Sequence, residues 1–230
     1  VTVSGYSDGG ASGDTFLGIP TDNLGTDYLV MSYHDFYSQF AVVATENNTS
    51  ISITVTGESE QTLILNQGQV MQQSRFGGDV TGTSITSDKP ISVFGSNDAT
   101  HIGGGGCCTD YLVEQLPPTS AWGTEFFSVP FATRIGGDTF RILAANAGTI
   151  VTINGETVAS LVRGQFHEQL IDGPAHIKSN VPILVAQFSN NLFHDGVTGD
   201  PSMTLTPAIN QFETSYLFEV PIGVTSPLAY

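Results

Sequence analysis

Thr109 to Gly123 reads TDYLVEQLPPTSAWG, and it stands where the chain begins to copy itself. Four glycines and two adjacent cysteines, Gly103 to Cys108, come just before it. On its two sides the same blocks recur in the same order. Leu24 to Tyr28 (LGTDY) matches Trp122 to Phe126 (WGTEF), and Phe40 to Ala44 (FAVVA) matches Phe140 to Ala144 (FRILA). Thr49 to Ile53 (TSISI) matches Thr149 to Ile153 (TIVTI), and Leu65 to Gln69 (LNQGQ) matches Leu161 to Gln165 (LVRGQ). Ser87 to Ile91 (SDKPI) matches Ser179 to Ile183 (SNVPI). The offset drifts from 98 (26→124) to 100 (49→149) to 92 (90→182), as loops of unequal length require.

The repeated blocks are strands by composition. YLVMSY (Tyr28 to Tyr33), FAVVAT (Phe40 to Thr45), SISITV (Ser50 to Val55), TLIL (Thr62 to Leu65) and ISVFGS (Ile91 to Ser96) are short and rich in β-branched and aromatic residues. Turn residues such as ENNT, NQG and SDKP bound them. TEFFSVP, FRILAA, TIVTI, HIKS and ILVAQFS do the same in the second half, and the one helical pattern, Asp35 to Gln39, is too short to count. The expectation is an all-β fold of antiparallel, sandwich-like units, in two imperfect repeats of about 95 residues. Residues 17–110 form the first repeat and 111–203 the second. Residues 1–16 read as the closing strand and joint of a preceding unit, and 204–230 as the first strands of a third. Because the two ends carry complementary pieces, a closed, propeller-like ring is the alternative. The terminal strands then either pair within one body or leave open edges that recruit another strand.

Composition narrows the function. Twenty-two acidic side chains against six basic ones give a formal net charge of −16, which excludes the basic stripe that nucleic acid demands. No run of 18 apolar residues exists, so no membrane insertion is expected. Charged residues are 12% of the chain, so solubility falls to Ser, Thr, Asn, Gln and Gly, as in many extracellular β-proteins. Beginning at Val1 without a basic and then apolar leader, the chain reads as a mature or excised segment.

Three joints can be compared: Ser7 to Pro20, Ser96 to Pro117 and Ser189 to Pro207. Each opens on Ser-Asx, runs through glycines and polar residues, and reaches an Asp (Asp14, Asp110, Asp200), an apolar stretch and a Pro. Such turn-rich loops on a β scaffold are where binding commonly resides. The block DYLVEQLPPTSAWGTEFF, with SDKPISVFGS before it and GDPSMTLTP after it, resembles the IgGFc-binding domain family over roughly residues 14 to 221. The resemblance implies a module of a large secreted mucus protein and of bacterial surface proteins, and hence a secreted or cell-surface location. Family members carry a Cys near Ser96 to His101 and another before the Asp at 110. Here the first is absent and Cys107 and Cys108 are adjacent.

Adjacent cysteines can close a strained ring in an oxidising compartment, so a vicinal disulfide at Cys107 and Cys108 is expected; a metal site with His101 and free thiols are the alternatives. Oxygen-rich loops suit Ca²⁺, which makes Asp14, Asp110 and Asp200 the candidate ligands, against Asx turns and strand caps as the simpler reading. Calcium is the one cofactor considered. There is no G-x-S-x-G and no H-E-x-x-H, so no enzyme is expected. Trp122 is expected to pack in the core beside Pro117 and Pro118. The leading functional reading is an extracellular binding or adhesion module for a glycoprotein or glycan. Its contact residues are Asn97, Asp98, His101, Asp110 and Tyr111 in one joint, and Asn190, His194, Asp195 and Asp200 in the next. The alternative is a structural subunit of a surface layer or filament, self-associating through terminal edge strands.

Overall fold

A computed structural model describes residues 3–8, 12–104, 108–196 and 199–215. The chain is all-β and antiparallel. It opens with the hairpin β1 (Ser4–Asp8) and β2 (Gly13–Leu17), in which Ser4 faces Leu17. A seven-stranded sheet follows: β3 (Gly25–Leu29), β4 (Tyr37–Ala44), β5 (Thr49–Thr54), β6 (Gln61–Leu65), β7 (Val70–Phe76), β8 (Ser84–Thr100) and β9 (Asp110–Leu116). A second seven-stranded sheet holds β10 (Gly123–Ser128), β11 (Asp138–Ala144), β12 (Thr149–Ile153), β13 (Glu156–Leu161), β14 (Phe166–Ile171), β15 (Ala175–Ser189) and β16 (Ser202–Leu205). The order is β6-β5-β8-β4-β7 in the first and β13-β12-β15-β11-β14 in the second, so every strand has its counterpart in the same place. Four of the five aligned blocks fall on such a pair, and the fifth, Leu65 to Gln69 with Leu161 to Gln165, forms the matching turns that leave β6 and β13.

One long strand organises each sheet. The first half of β8 pairs with β3 and β5, and the second half with β4 and β9. Pro90, which has no N–H to give a ladder, sits where the partners change. Pro182 does the same in β15, between its pairing with β10 and β12 and its pairing with β11 and β16. A strand shared by two ladders curls each sheet into a half-barrel. The alternating residues Phe40, Val42, Ala44, Ile51 and Ile53 fill the first interior, and Phe140, Ile142, Ala144, Val151 and Ile153 fill the second.

The structure departs from the sequence reading in four places. The run YLVMSY is strand only to Leu29; Val30 to Tyr33 leave the ladder and are buried beneath the second sheet. ISVFGS is part of a 17-residue strand. β9 is bonded to β8 and lies on the first sheet, although alignment groups residues 111–116 with the second repeat. A one-turn helix, α1 (Leu192–Asp195), interrupts the third joint, capped by the Asn191 side chain, which accepts from the N–H groups of Phe193 and His194. The N-terminal strand pairs with β2; the rest of the expected third unit, 216–230, lies outside the described residues.

Arg141 on β11 links the sheets. Its guanidinium donates to Ser32 O (2.8 Å), Asp79 Oδ2 (2.8 Å), Thr81 Oγ1 (3.0 Å) and, across its own sheet, Glu168 Oε2 (2.7 Å). It also donates to His34 Nδ1 (3.1 Å), which fixes the His34 proton on Nε2. The rings of Tyr33 and Phe166 clasp it at 4.1 and 4.4 Å. Burial, and then the Glu168 carboxylate, pushes the Tyr33 hydroxyl pKa up. Around this centre Leu143, Leu184, Ala186 and Phe188 of the second sheet join the core that holds Leu29, Val30 and Met31. Gly82 meets Gly164 so closely that a Cβ on Gly82 would overlap the Gly164 carbonyl.

Candidate functional site

The loop entering β4 is held by Asn97. Its side-chain amide donates to the carbonyls of Tyr33 (2.9 Å), His34 (3.0 Å) and Asp35 (2.9 Å), and Thr100 Oγ1 adds a bond to His34 O (2.9 Å). So held, Asp35 and Phe36 keep positive φ angles of 82° and 27°. Such strain costs on the order of 1–3 kcal/mol per residue and persists where surroundings overdetermine it, often at binding sites. Its product is a shelf of exposed rings. Phe36 is 40% exposed, Tyr37 44% and Phe76 70%. Tyr37 and Phe76 lie 5.1 Å apart between centroids, and Phe36 and His101 5.9 Å.

Polar groups rim this shelf. Asp98 Oδ1 accepts from the Tyr37 N–H (2.9 Å). His101 Nδ1 and Asp35 Oδ2 are 2.7 Å apart. Burial works against ionisation of Asp35, but bonds from the His101 side chain and from the His101 and Phe36 N–H groups outweigh it and lower the pKa of its carboxyl. Exposed rings beside carboxylates and an imidazole can stack on a sugar or take an amphipathic side chain. The sequence reading reached Asp98 and His101 but missed Asp35, Phe36, Tyr37 and Phe76. Only the outward phase of Tyr37 in YSQFAVVA signalled them.

Of the other expected contact residues, Asn190 and Asp195 are drawn inward, His194 and Tyr111 are half-buried and Asp200 is exposed. Asn190 is buried, donating to Gly137 O (2.7 Å) and accepting from Thr139 Oγ1 (2.7 Å). Asp195 is buried and takes Arg134 Nη1 at 2.9 Å; desolvation nevertheless raises its pKa. One oxygen each of Asp195 and Asp138 has no protein partner, which suits a buried water. His194 Nε2 lies 3.1 Å from Gly136 O. Asn97 and Asn190 hold the loops through buried bonds to backbone carbonyls, and Asp195 through its buried pair with Arg134.

The joint acids gather where β2, β9 and β16 touch one another. Asp110 Oδ1 accepts from Ser12 Oγ, from Gly13 N (2.9 Å) and from Tyr111 N (2.7 Å). Asp14 accepts from Val113 N (3.1 Å), from Thr15 N (2.8 Å) and from the Met203 N–H. Burial pushes the Asp14 carboxyl up to about 7 against these bonds, and burial with the neighbouring Asp14 pushes Glu114 up to about 8. Asp110 is raised by burial too, with Asp200 adding repulsion. Tyr111, half-buried, is raised by burial. Among the described residues no three His, Cys, Asp or Glu side chains form a group able to hold a metal ion; the Asp14 and Asp110 carboxylates clasp the strands, and Asp200 is exposed. Cys108 has a positive φ of 68°; Cys107, and with it the expected vicinal disulfide, lies outside the described residues. Trp122 is buried and donates to Pro117 O (3.1 Å), as the sequence suggested.

Comparison with known proteins places this chain in one family. The family described as IgGFc binding protein matches residues 14–227, and the chain belongs to it. The human IgGFc-binding protein is 26% identical over 216 residues, covering 86% of this chain and 4% of that protein. No solved structure matches. Among the described residues no helix is long and apolar enough to cross a membrane.

Proposed function

We propose that the chain is an extracellular binding module that receives a glycoprotein or glycan on the shelf of Phe36, Tyr37 and Phe76. The observation that carries this reading is the strained Asp35–Phe36 turn, pinned by Asn97, which turns three rings to solvent in an acidic protein. Its Asp35, Asp98 and His101 rim supplies the hydrogen bonding that sugar hydroxyls need. The human relative's name says that it binds immunoglobulin Fc, itself a glycoprotein, and that class of partner fits the shelf. Tyr37→Ala with Phe76→Ala is expected to weaken capture of glycosylated Fc or mucin glycans at least ~10-fold, the equivalent of about 1.4 kcal/mol. Surface plasmon resonance on both ligand types checks it. Equal binding by the variant and the parent, or no binding by either, sinks the reading.

A further inference from the structure

What surrounds the rings of the shelf gives it a chemical preference. Tyr37 faces Phe76 across the ladder, at the start of β4 and the end of β7, and the Gly77 N–H donates to Phe36 O (2.6 Å), which ties the two loops together. The Tyr37 and Phe76 planes meet at 54°. They form an open corner, in which one ring can lie under the C–H face of a pyranose while the other stands at its edge. The same outward face continues down the ladder, with Gln39 beside Ser74 and Ala41 beside Gln72. From Tyr37 to Ala41 the strand rises about 14 Å, more than one sugar ring. Gln72 and Ser74 are exposed, and this strip carries amides and a hydroxyl but no charge.

The charged groups at the corner are acids. Asp98 is exposed and accepts from the Tyr37 N–H, and Asp35 is held by His101. A carboxylate only accepts hydrogen bonds. His101 Nδ1 faces Asp35 Oδ2, so in the neutral imidazole the proton sits on Nδ1 and Nε2 is an acceptor too. The rim therefore suits a ligand that donates, as sugar hydroxyls do. The basic side chains are engaged elsewhere. Five of the six Lys and Arg residues are paired with carboxylates, and the sixth, Lys89, donates to the carbonyls of Asn47 (2.5 Å) and Asn48 (3.3 Å). Arg75 adjoins Phe76 but lies on the opposite phase of β7, where it meets Glu58. A sugar carboxylate or sulfate ester calls for a free guanidinium or ammonium, and a net charge of −16 repels it.

We propose that the shelf selects neutral oligosaccharides and rejects sialylated and sulfated ones. One sugar stacks in the Tyr37–Phe76 corner with its hydroxyls donating to the Asp98 and Asp35 rim, and the next run along the Ser74 and Gln72 strip. This inference rests on the glycan reading of the shelf and narrows it to a chemical class.

The test presents one biantennary N-glycan, immobilised in desialylated and in sialylated form, to residues 1–230 in surface plasmon resonance. The desialylated form is expected to bind at least ~10-fold more tightly at low salt. The ratio should narrow at high salt, where the Debye length shrinks to about 3 Å. Asp98→Asn removes one charge, keeps an oxygen for the Tyr37 N–H and adds a donor, so it should narrow the ratio at low salt as well. Equal or tighter binding of the sialylated form overturns the proposal while leaving the shelf a binding site. So does a ratio that ignores both salt and Asp98→Asn. Equal capture of glycosylated and enzymatically deglycosylated Fc also overturns it, because the shelf then reads protein rather than sugar. Binding of neither glycan and of no Fc is the separate result that removes the shelf itself, and this proposal with it.

Discussion

Ala41 and Arg141 occupy the same position in two sheets of identical strand order, on the strand that pairs with the long central one. Ala41 is half-buried at an outer face, while Arg141 is sealed between the sheets with seven hydrogen-bond partners or clasping rings from the first and second units. The backbone does not distinguish them. What differs is whether another unit packs on that face, and the side chain has diverged accordingly. A guanidinium can be buried there only because Asp79 and Glu168 compensate its charge and two rings cover its faces.

The comparison is broken most forcefully at Arg141 itself. Arg141→Met leaves Asp79 and Glu168 without their cation and is expected to cost about 3 kcal/mol in urea unfolding, below the upper end of the range because both carboxylates reach solvent. Ala41→Arg should change stability by no more than about 0.5 kcal/mol. Equal effects at the two sites would show that the sheets do not meet as described.

A second test concerns the clasp of β2, β9 and β16. Asp14 and Glu114 hold protons in the folded protein up to pH values of about 7 and 8, well above the 3.8 and 4.5 of the free side chains. The folded state therefore binds more protons than the unfolded one between these limits, so stability falls as pH rises from about 4 to about 8 and levels off above. The loss between pH 5 and 9 is followed by thermal or urea unfolding. Asp14→Asn combined with Glu114→Gln should flatten the profile.

Glycine substitutions sharpen the sheet-to-sheet contact further. Gly57→Ala meets no atom and bears only the strain of a φ of 83°, about 1 kcal/mol. Gly82→Ala, at a φ of 86°, also drives a methyl group into the Gly164 carbonyl and should cost on the order of 1–2 kcal/mol more. Their difference in unfolding free energy measures how tightly the two sheets are pressed together. The smallest effect is expected at the shelf, where Phe76→Ala should leave stability within about 0.5 kcal/mol while binding is lost.

Strands with apolar alternation were legible in the sequence. FAVVA alternates buried and half-buried residues, FRILA is buried on both faces, and their duplication carried the architecture. β7, with the residues VMQQSRF, and β14, FHEQLI, carry no apolar run; they are strands because they complete a ladder beside β4 and β11. The joints were legible as loops but not as sites. Asn97 and Asp98 are neighbours with the same turn-forming chemistry, and only the packing shows that one is a buried clamp and the other an exposed rim. Arg141 escaped notice because a single cation within FRILA looks like an outward-facing strand residue.

By itself the sequence determined the all-β class, the duplicated order of strands and the family, since these rest on local alternation, turn residues and the block VEQLPPTSAWG. Which faces are covered, which carboxyls are buried and which rings stand in solvent were decided only by tertiary structure. Those properties depend on residues far apart in the chain, such as Arg141 and Asp79 or Asp14 and Val113, meeting across sheets and joints. Burial there sets the energy of each charge, and no local pattern records it.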